Sequence, residues 1–260
     1  KATQGLANYI HKSGNAQKGV AVAYDSRRMS PEFAEEAALT LAANGIKAYK
    51  FESLRPTPEL SFAVRELHCV AGLNITASHN PAEYNGYKVY WEDGAQFTPP
   101  HDKGVTAEVL AITDLSTVKT MSREAAIAAG KYEIIGQTID DKFIAHVKAQ
   151  VVNQDAIDKM QKDIRIVYTP LHGTGNLPAR RVLKELGFEC VRPEGAFYLF
   201  VKSPVEDEKA FCAAAKKYNI LIVPGSSFGC PGYVRIAYCV AYETIVNSLP
   251  KFKELAGEYK

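Results

Sequence analysis

A serine followed by a histidine offers the clearest chemistry in this sequence. Residues 76–81 read TASHNP, so that Ser78 follows a small residue and precedes His79. Pro81 restricts the backbone at the exit of the segment. A hydroxyl presented beside an imidazole suits a serine that carries a phosphoryl group, because this transfer depends mainly on positioning and charge neutralisation. An Asn-Pro turn with a solvated serine has the same spacing, and the residues alone leave both interpretations open.

Two cationic side chains could assist at such a site. Lys88 lies in an alternating segment after the Asn85-Gly86 turn, and Arg27 follows an apolar run. Both carry donors that match phosphoryl oxygens. Each also has a structural interpretation: a solvated strand lysine for Lys88, and a turn residue paired with Asp25 for Arg27. His172, in a predicted loop, is expected to be structural.

The elements that must position these residues follow a strand–helix–strand rhythm. Strands are predicted at residues 20–24, 46–51 and 69–75, with two helical segments between them. This order favours a mostly parallel sheet with right-handed crossovers. Ligands gather at the carboxyl ends of the strands in such sheets. Arg27 and Ser78 both follow predicted strands directly, so we expect both at that edge.

Strands and helices are predicted to alternate in the same way through the rest of the chain. The character of the sequence changes after Pro193. Residues 100–136 are expected to mix helix and loop. The further predicted strands are 86–91, 164–168, a strand leading to Val191, 195–201, 220–223 and 233–238, and the predicted helices are 139–161 (broken near Asn153), 176–187, 206–218 and 242–259.

Residues 76–81, followed by YNGYKVY at 84–90, resemble the active-serine signature of the α-D-phosphohexomutase family, which contains phosphoglucomutases and phosphomannomutases. The similarity covers roughly residues 1–192 and is strongest to the phosphoglucomutase branch. Agreement across several separated motifs is improbable by chance. The flanking stretches that also resemble the family are 24–27, 55–60 and 167–175.

The resemblance implies a role for each candidate side chain. Ser78 would donate and recover phosphate on a hexose phosphate, and its phosphate would ligate Mg²⁺. His79 and Lys88 would transfer protons or contact phosphate. Arg27 would support charge at the transferring group.

The remaining magnesium ligands of that family are not found in the sequence. They form a short Asp-x-Asp-x-Asp loop, and Mg²⁺ requires several oxygen ligands. Asp140 and Asp141 are neighbours on a predicted helix and therefore point about 100° apart. The acidic residues 206–208 open a helix, where they favour the helix dipole. Because the sugar-reading and phosphate-gripping domains are not recognised either, we expect no bound Mg²⁺ and negligible mutase turnover.

Residues 193–260 resemble a different family, the carboxy-terminal small domain of class I pyridoxal-phosphate aminotransferases. Arg235 matches the arginine that binds the substrate α-carboxylate in that family, and it is expected to be vestigial here. The Schiff-base lysine motif and the phosphate cup are not recognised, so neither pyridoxal phosphate nor aminotransferase activity is expected. The stretches that carry the resemblance are 193–200, 223–229 and 233–238.

These similarities predict an α/β protein of two layered domains. Residues 1–136 would form a domain like phosphohexomutase domain I, with a mostly parallel sheet and the active serine. Residues 137–260 would close into one hybrid α/β domain. Within it, residues 137–192 would be like part of mutase domain II and residues 193–260 like the aminotransferase small domain.

Composition limits the classes of partner and the cellular compartment that we expect for this protein. A formal net charge of +2 over 260 residues does not indicate a nucleic acid, and the apolar runs are far shorter than the roughly 20 residues of a membrane span. Five scattered cysteines without a CxxC pair favour a reducing cytosol over disulfides or zinc. The chain begins without Met in what reads as a helix, so a missing start is expected. The oligomeric state stays open.

Three functions fit the sequence. The first is a phosphohexomutase-derived protein that still accepts phosphate on Ser78, with little turnover. The second is a catalytically silent chimera, natural or engineered. The third is an interaction module that uses the mutase surface.

Overall fold

A computed structural model describes residues 1–164, 166, 168, 170, 172–188, 198–237 and 240–259. The chain divides into two compact units, Lys1–Cys190 and Val191–Lys260. The predicted strand leading to Val191 lies outside the described residues, as do residues 165 and 167 of the strand predicted at 164–168. The domain boundary predicted after residue 136 stays a prediction.

The first unit holds five strands and eight α-helices among its described residues. They are α1 (Ala2–Lys12), β1 (Val20–Tyr24), α2 (Ser30–Ala43), β2 (Ala48–Phe51), α3 (Thr57–Glu66), β3 (Ala71–Ile75), β4 (Tyr87–Trp91), α4 (His101–Ala111), α5 (Arg123–Ala128), β5 (Tyr132–Ile135), α6 (Gln137–Lys148), α7 (Gln154–Met160) and α8 (Asn176–Glu185).

These strands form one mostly parallel sheet in the order β4-β3-β1-β2-β5. Strands β1, β2, β3 and β5 run parallel, and β4 returns antiparallel to β3. The α/β class with a mostly parallel sheet is therefore confirmed. The two parallel neighbours of β1 place it in the interior of the sheet, which explains why its five residues are all buried.

Alternation along β1 divides the core into two layers. Val20, Val22 and Tyr24 pack in the cluster formed with α1 and α2, whereas Ala21 and Ala23 pack in the cluster formed with α3. A strand side chain points to the opposite face at each step, so one short apolar run serves both layers. The result is a helix–sheet–helix sandwich that fixes the carboxyl ends of β1 and β3 side by side.

The second unit is a small antiparallel sheet with helices. Its described elements are β6 (Tyr198–Lys202), α9 (Glu208–Ala215), β7 (Val223–Pro224), β8 (Tyr233–Ala237) and α10 (Tyr242–Gly257). The strand order is β6-β8-β7. Phe211, Ile222, Val234 and Leu255 lie in its core.

Two strand predictions need correction. The segment 220–223 contributes only Val223 to a strand, the two-residue β7, and Ile220 and Ile222 are core residues that precede it. Residues 132–135, placed in a mixed region by the sequence, form the edge strand β5. Within the described part of the chain, no helix has both the length and the apolar character needed to cross a membrane.

Candidate active site

Ser78 lies in the loop after β3 and is exposed. Its backbone has φ 55, in the left-handed region, although it is not a glycine. The hydroxyl oxygen of Thr76 accepts a hydrogen bond from the Ser78 N–H at 3.0 Å and holds this turn. A non-glycine residue in that region costs about 1–3 kcal/mol, so the surrounding contacts must hold Ser78 there.

Lys88 contacts the Ser78 hydroxyl directly, with its Nζ donating to Oγ. The contact follows from strand pairing: Lys88 on β4 lies opposite Asn74 on β3, just before the serine loop. Lys88 is half-buried, so its ammonium is held toward the loop while Ser78 remains open to solvent. The structure thus brings together two of the residues singled out by the sequence.

Arg27 joins the same loop through its backbone. Its guanidinium donates to the carbonyl oxygens of Ser78 (2.9 Å), Asn80 (2.7 Å), Pro81 (2.8 Å) and Tyr84 (2.9 Å). All four acceptors belong to the loop between β3 and β4. The planar fork of donors makes such multiple contacts possible, and a lysine could not reproduce them. In this geometry Arg27 organises the loop; its expected support of charge at the transferring group stays a prediction.

A second set of contacts anchors Arg27 and the end of the loop. The carboxylate of Asp25 accepts from the Arg27 N–H at 2.9 Å and from the Ser30 hydroxyl at 2.8 Å. Asn85 donates to the same Ser30 hydroxyl at 2.9 Å. Asp25, Ser30 and Asn85 were not predicted as site residues. The Asp-x-Arg spacing and the Asn-Gly pair were the signals that could have identified them.

Gly86 lies at the end of the loop, where the neighbouring backbone leaves no room for a side chain. Its carbonyl accepts from the Thr76 N–H at 3.0 Å, and a Cβ built on it would lie 2.5 Å from the Thr76 carbonyl oxygen. Any side chain there would push β4 away from the strand end. The position of Lys88 thus depends on a glycine two residues earlier.

The two histidines near the site differ in their contacts. His79 is exposed in the loop, and its ring makes no hydrogen bond with the described residues. Its role in proton transfer stays a prediction. The carbonyl oxygen of His172 accepts from the Ser26 hydroxyl at 3.1 Å, so this loop reaches the turn after β1. That contact uses the backbone of His172, in agreement with a structural interpretation.

The residues around Ser78 do not fit a magnesium site. Among the described residues, no group of three His, Cys, Asp or Glu side chains could hold a metal ion. Asp25 is the carboxylate of the loop network, and its oxygens already bind Arg27 and Ser30. Asp140 and Asp141 bind different arginines, Arg55 and Arg181. Mg²⁺ needs several free oxygen ligands in near-octahedral geometry, and this donor set lacks them.

Arg55, Glu59 and Asp140 form a largely buried ionic cluster that was not predicted from the sequence. Arg55, 3% exposed, donates to both carboxylate oxygens of Asp140 at 2.9 and 2.8 Å. Glu59 is 1% exposed and contacts the same pair. Burial, then the hydrogen bond and negative charge of Asp140, raise the pKa of Glu59 to about 8. The neutral form of Glu59 is therefore favoured in the fold.

The pKa of Asp140 moves in the opposite direction. Burial alone would raise it, but the hydrogen bonds from Arg55 and Glu59 outweigh burial and lower it. One proton shared by two carboxyl groups beside an arginine explains both directions. This cluster connects the start of α3 with α6.

In the second unit, Arg235 lies on β8 opposite Val223 of β7. Its guanidinium carbon is 3.8 Å from the ring centroid of Phe228, a cation–π distance. The side chain is half-buried. These contacts fit a structural role, and the vestigial status of Arg235 as a carboxylate-binding residue stays a prediction.

Comparison with known proteins finds similarity to a different family in each of two parts of the chain. Residues 1–116 match "Phosphoglucomutase/phosphomannomutase, alpha/beta/alpha domain I", and residues 178–248 match "Aminotransferase class I and II". The phosphoglucomutase of Staphylococcus saprophyticus is 34% identical over 218 residues, which cover 81% of this chain and 38% of the relative. The chain thus spans well under half of the relatives that it matches.

Two further relatives agree with this result. The human phosphopentomutase is 32% identical over 213 residues, covering 75% of this chain and 32% of the relative. A solved structure, a putative phosphomannomutase from Thermus thermophilus, superposes with a TM-score of 0.50 at 26% identity, covering 60% of this chain and 32% of that one.

Proposed function

Because residues 1–116 match domain I of the phosphoglucomutase/phosphomannomutase family, we propose that Ser78 accepts a phosphoryl group from a phosphorylated hexose and that the chain turns over little as a mutase. The proposal concerns the first half-reaction of that family. A complete mutase would also reorient the sugar and return the phosphate.

One observation carries the proposal: the Ser78 hydroxyl is exposed at a strand end and bonded to Lys88, in a loop that Arg27 organises. Transfer to a hydroxyl requires an accessible oxygen in a fixed position and a cation that receives the phosphoryl charge. Ser78 and Lys88 meet both requirements. An ordinary solvated serine would need neither the left-handed backbone nor the converging donors.

The transfer itself balances without a further reactant. The bond between phosphorus and a sugar oxygen of a hexose bisphosphate breaks, and a bond between phosphorus and Ser78 Oγ forms. The Ser78 proton passes to the leaving sugar oxygen, with His79 or Lys88 as the candidate carriers. The products are phosphoserine and a hexose monophosphate. Lys88, already at Oγ, would then contact the new phosphate oxygens.

Low turnover is the expectation because the described residues around Ser78 offer no set of free oxygen ligands that fits Mg²⁺. Removing a single donor that stabilises the transition state commonly slows an enzyme by about 10²–10³-fold.

Intact-mass spectrometry after incubation with glucose 1,6-bisphosphate tests the proposal. We expect a single phosphate adduct on the protein, its loss in Ser78→Ala, and its retention in Ser26→Ala, which removes another exposed serine near the same edge. Ribose 1,5-bisphosphate is the second probe, since one relative is a phosphopentomutase. Absence of an adduct with both probes would favour a silent chimera or an interaction module.

A coupled assay with glucose 1-phosphate and Mg²⁺ tests the second half of the proposal. We expect no measurable turnover. A rate near the ordinary enzyme median of about 10 s⁻¹ would contradict it.

A further inference from the structure

A cleft in the first unit lies at the end of the sheet opposite Ser78. Helix α2 leaves the carboxyl end of β1 and returns to the amino end of β2, so its last turn, with Asn44 just after it, lies at the amino-terminal edge. The cleft has a volume of about 480 Å³, within the range of small-molecule sites. It is lined by Gln4, Asn8, His11, Lys12, Asn44, Glu108, Ile112, Thr117 and Lys119.

Two buried amides form a rigid floor in this cleft. Gln4 and Asn44 are 5% and 8% exposed, and each donates to the other, at 2.8 and 2.9 Å. The Gln4 carbonyl oxygen also accepts from the Lys119 N–H at 3.0 Å, and its amide donates to the Asn8 carbonyl oxygen at 2.9 Å. A satisfied network of this kind fixes its members because each alternative orientation loses hydrogen bonds.

The network directs a free donor group into the cleft. Asn8 uses its carbonyl oxygen toward Gln4, so its NH₂ group remains, and that group has no hydrogen bond with the described residues. His11 donates from Nε2 to the Asn44 carbonyl oxygen at 2.7 Å, since a carbonyl can only accept. The amide orientation of Asn8 is thereby set by Gln4, and its donors face the open space.

The charges of the cleft leave one cation uncompensated. Lys12 is paired with Glu108 at 2.5 Å, so these two side chains neutralise each other. Lys119 is exposed, and its ammonium has no ion pair with the described residues. The cleft therefore combines a net positive charge with a fixed amide donor. Both groups suit the oxygens of an anion.

We propose that this cleft binds a small organic phosphate, with Lys119 and the Asn8 amide on the phosphoryl oxygens. A phosphate ester is the ligand of choice because the volume exceeds that of a bare anion and the free groups are donors. The site is separate from Ser78 and does not depend on phosphoryl transfer there. Glu108, held by Lys12, borders the part of the cleft left for the organic group.

Nuclear magnetic resonance of ¹⁵N-labelled protein tests the site with inorganic phosphate and with glycerol 3-phosphate. We expect saturable shifts of the Lys119 backbone amide and of the Asn8 side-chain amide. Lys119→Gln should weaken apparent affinity about tenfold, the effect of losing one charge-assisted hydrogen bond. Lys103→Gln, which removes an exposed lysine outside the cleft, should change nothing, and Ser78→Ala should leave the shifts intact.

Three results would overturn the site. Shifts that fail to saturate and are reproduced by chloride at equal ionic strength would indicate screening alone. Equal phosphate affinities of Lys119→Gln and Lys103→Gln would show that the Lys119 ammonium does not bind the phosphate. Loss of the shifts in Ser78→Ala would mean that the phosphate occupies the serine loop.

Discussion

The guanidinium of Arg27 is bonded to the main-chain carbonyl of Ser78, with Nη2 and O 2.9 Å apart. The arginine thus acts on the conformation of the loop, and Lys88 is the cation that touches the hydroxyl. The two cations therefore have different roles: Arg27 holds the loop and Lys88 contacts the hydroxyl. The sequence alone could not separate these roles. The difference also makes the two side chains separable by mutation.

Arg27→Lys keeps the charge and loses the fork of donors. We expect phosphoserine formation to slow by about 10²-fold, because the loop that positions Ser78 loses most of its carbonyl contacts. The rate is measured by mass spectrometry with glucose 1,6-bisphosphate. Arg65→Lys, on the exposed side of α3, is the matched control. Equal rates in both variants would contradict a positioning role.

Lys88→Met removes the cation at the Ser78 hydroxyl. We expect a decrease of about 10²–10³-fold in phosphoserine formation, since a donor to the developing charge is lost. Lys88→Arg should recover part of the rate because it restores a cation. Lys103→Met serves as the surface control. A wild-type rate in Lys88→Met would show that this lysine does not contribute to phosphoryl transfer.

Gly86→Ala tests the closure of the serine loop. The new Cβ would clash with the Thr76 carbonyl oxygen, so we expect a loss of about 1–3 kcal/mol in the free energy of unfolding. Phosphoserine formation should fall with it. Urea denaturation gives the stability. Gly257→Ala is the control, because nothing lies within 4 Å of its added Cβ.

The protonated Glu59 predicts a specific pH dependence of stability. Its pKa is 4.5 in the reference state and about 8 in the fold, so the neutral form is favoured by folding. The contribution is complete below pH 4.5 and is lost as the pH rises toward 8, at about 1.4 kcal/mol for each pKa unit. Asp140 acts oppositely: its lowered pKa gives stability that is lost only on acidification.

Urea denaturation at about pH 6 and about pH 8.5, on either side of the raised pKa, measures this effect. We expect the free energy of unfolding to decrease across that interval in the wild type and to change much less in Glu59→Gln. The amide keeps the shape of the neutral acid and does not titrate. A slope that persists unchanged in Glu59→Gln would assign the dependence to other groups.

Arg55→Met removes a buried guanidinium and leaves the partly buried Asp140 without its bidentate partner. We expect a loss of about 3–5 kcal/mol in the free energy of unfolding, the usual cost of breaking one side of a buried ion pair. Arg65→Met, an exposed arginine on the neighbouring helix, should stay within about 0.5 kcal/mol of wild type. Comparable losses in both variants would contradict the burial argument.

Sequence periodicity was sufficient for the framework that holds the site. The apolar run at β1 and the turn after it placed Arg27 at the sheet edge, and the same logic placed Ser78 after β3. Strand β5 was missed, since four residues at an edge with Glu133 exposed carry little pattern. The hydrophobic pattern of a segment indicates which residues are buried and how they alternate, and a short edge strand has little burial and little alternation.

The contacts of the site were harder to predict because they join distant positions. Asp140 and Asp141 were recognised as unable to share one ion, and in the structure they bind Arg55 and Arg181. No spacing rule relates Arg55 to Asp140, which approach only when α3 and α6 pack on the sheet. The shift of Glu59 arises from that packing and has no signal in the sequence.

The four carbonyls that turn toward Arg27 determine what the other side of the loop offers. In a trans peptide the N–H points opposite to the C=O, so the amides of His79, Ala82 and Asn85 are directed away from the arginine. None of them donates to another group in the described part of the chain. A largely enclosed cation on one side of the loop is thus accompanied by main-chain donors that point away from it, and main-chain donors of this kind can bind anions.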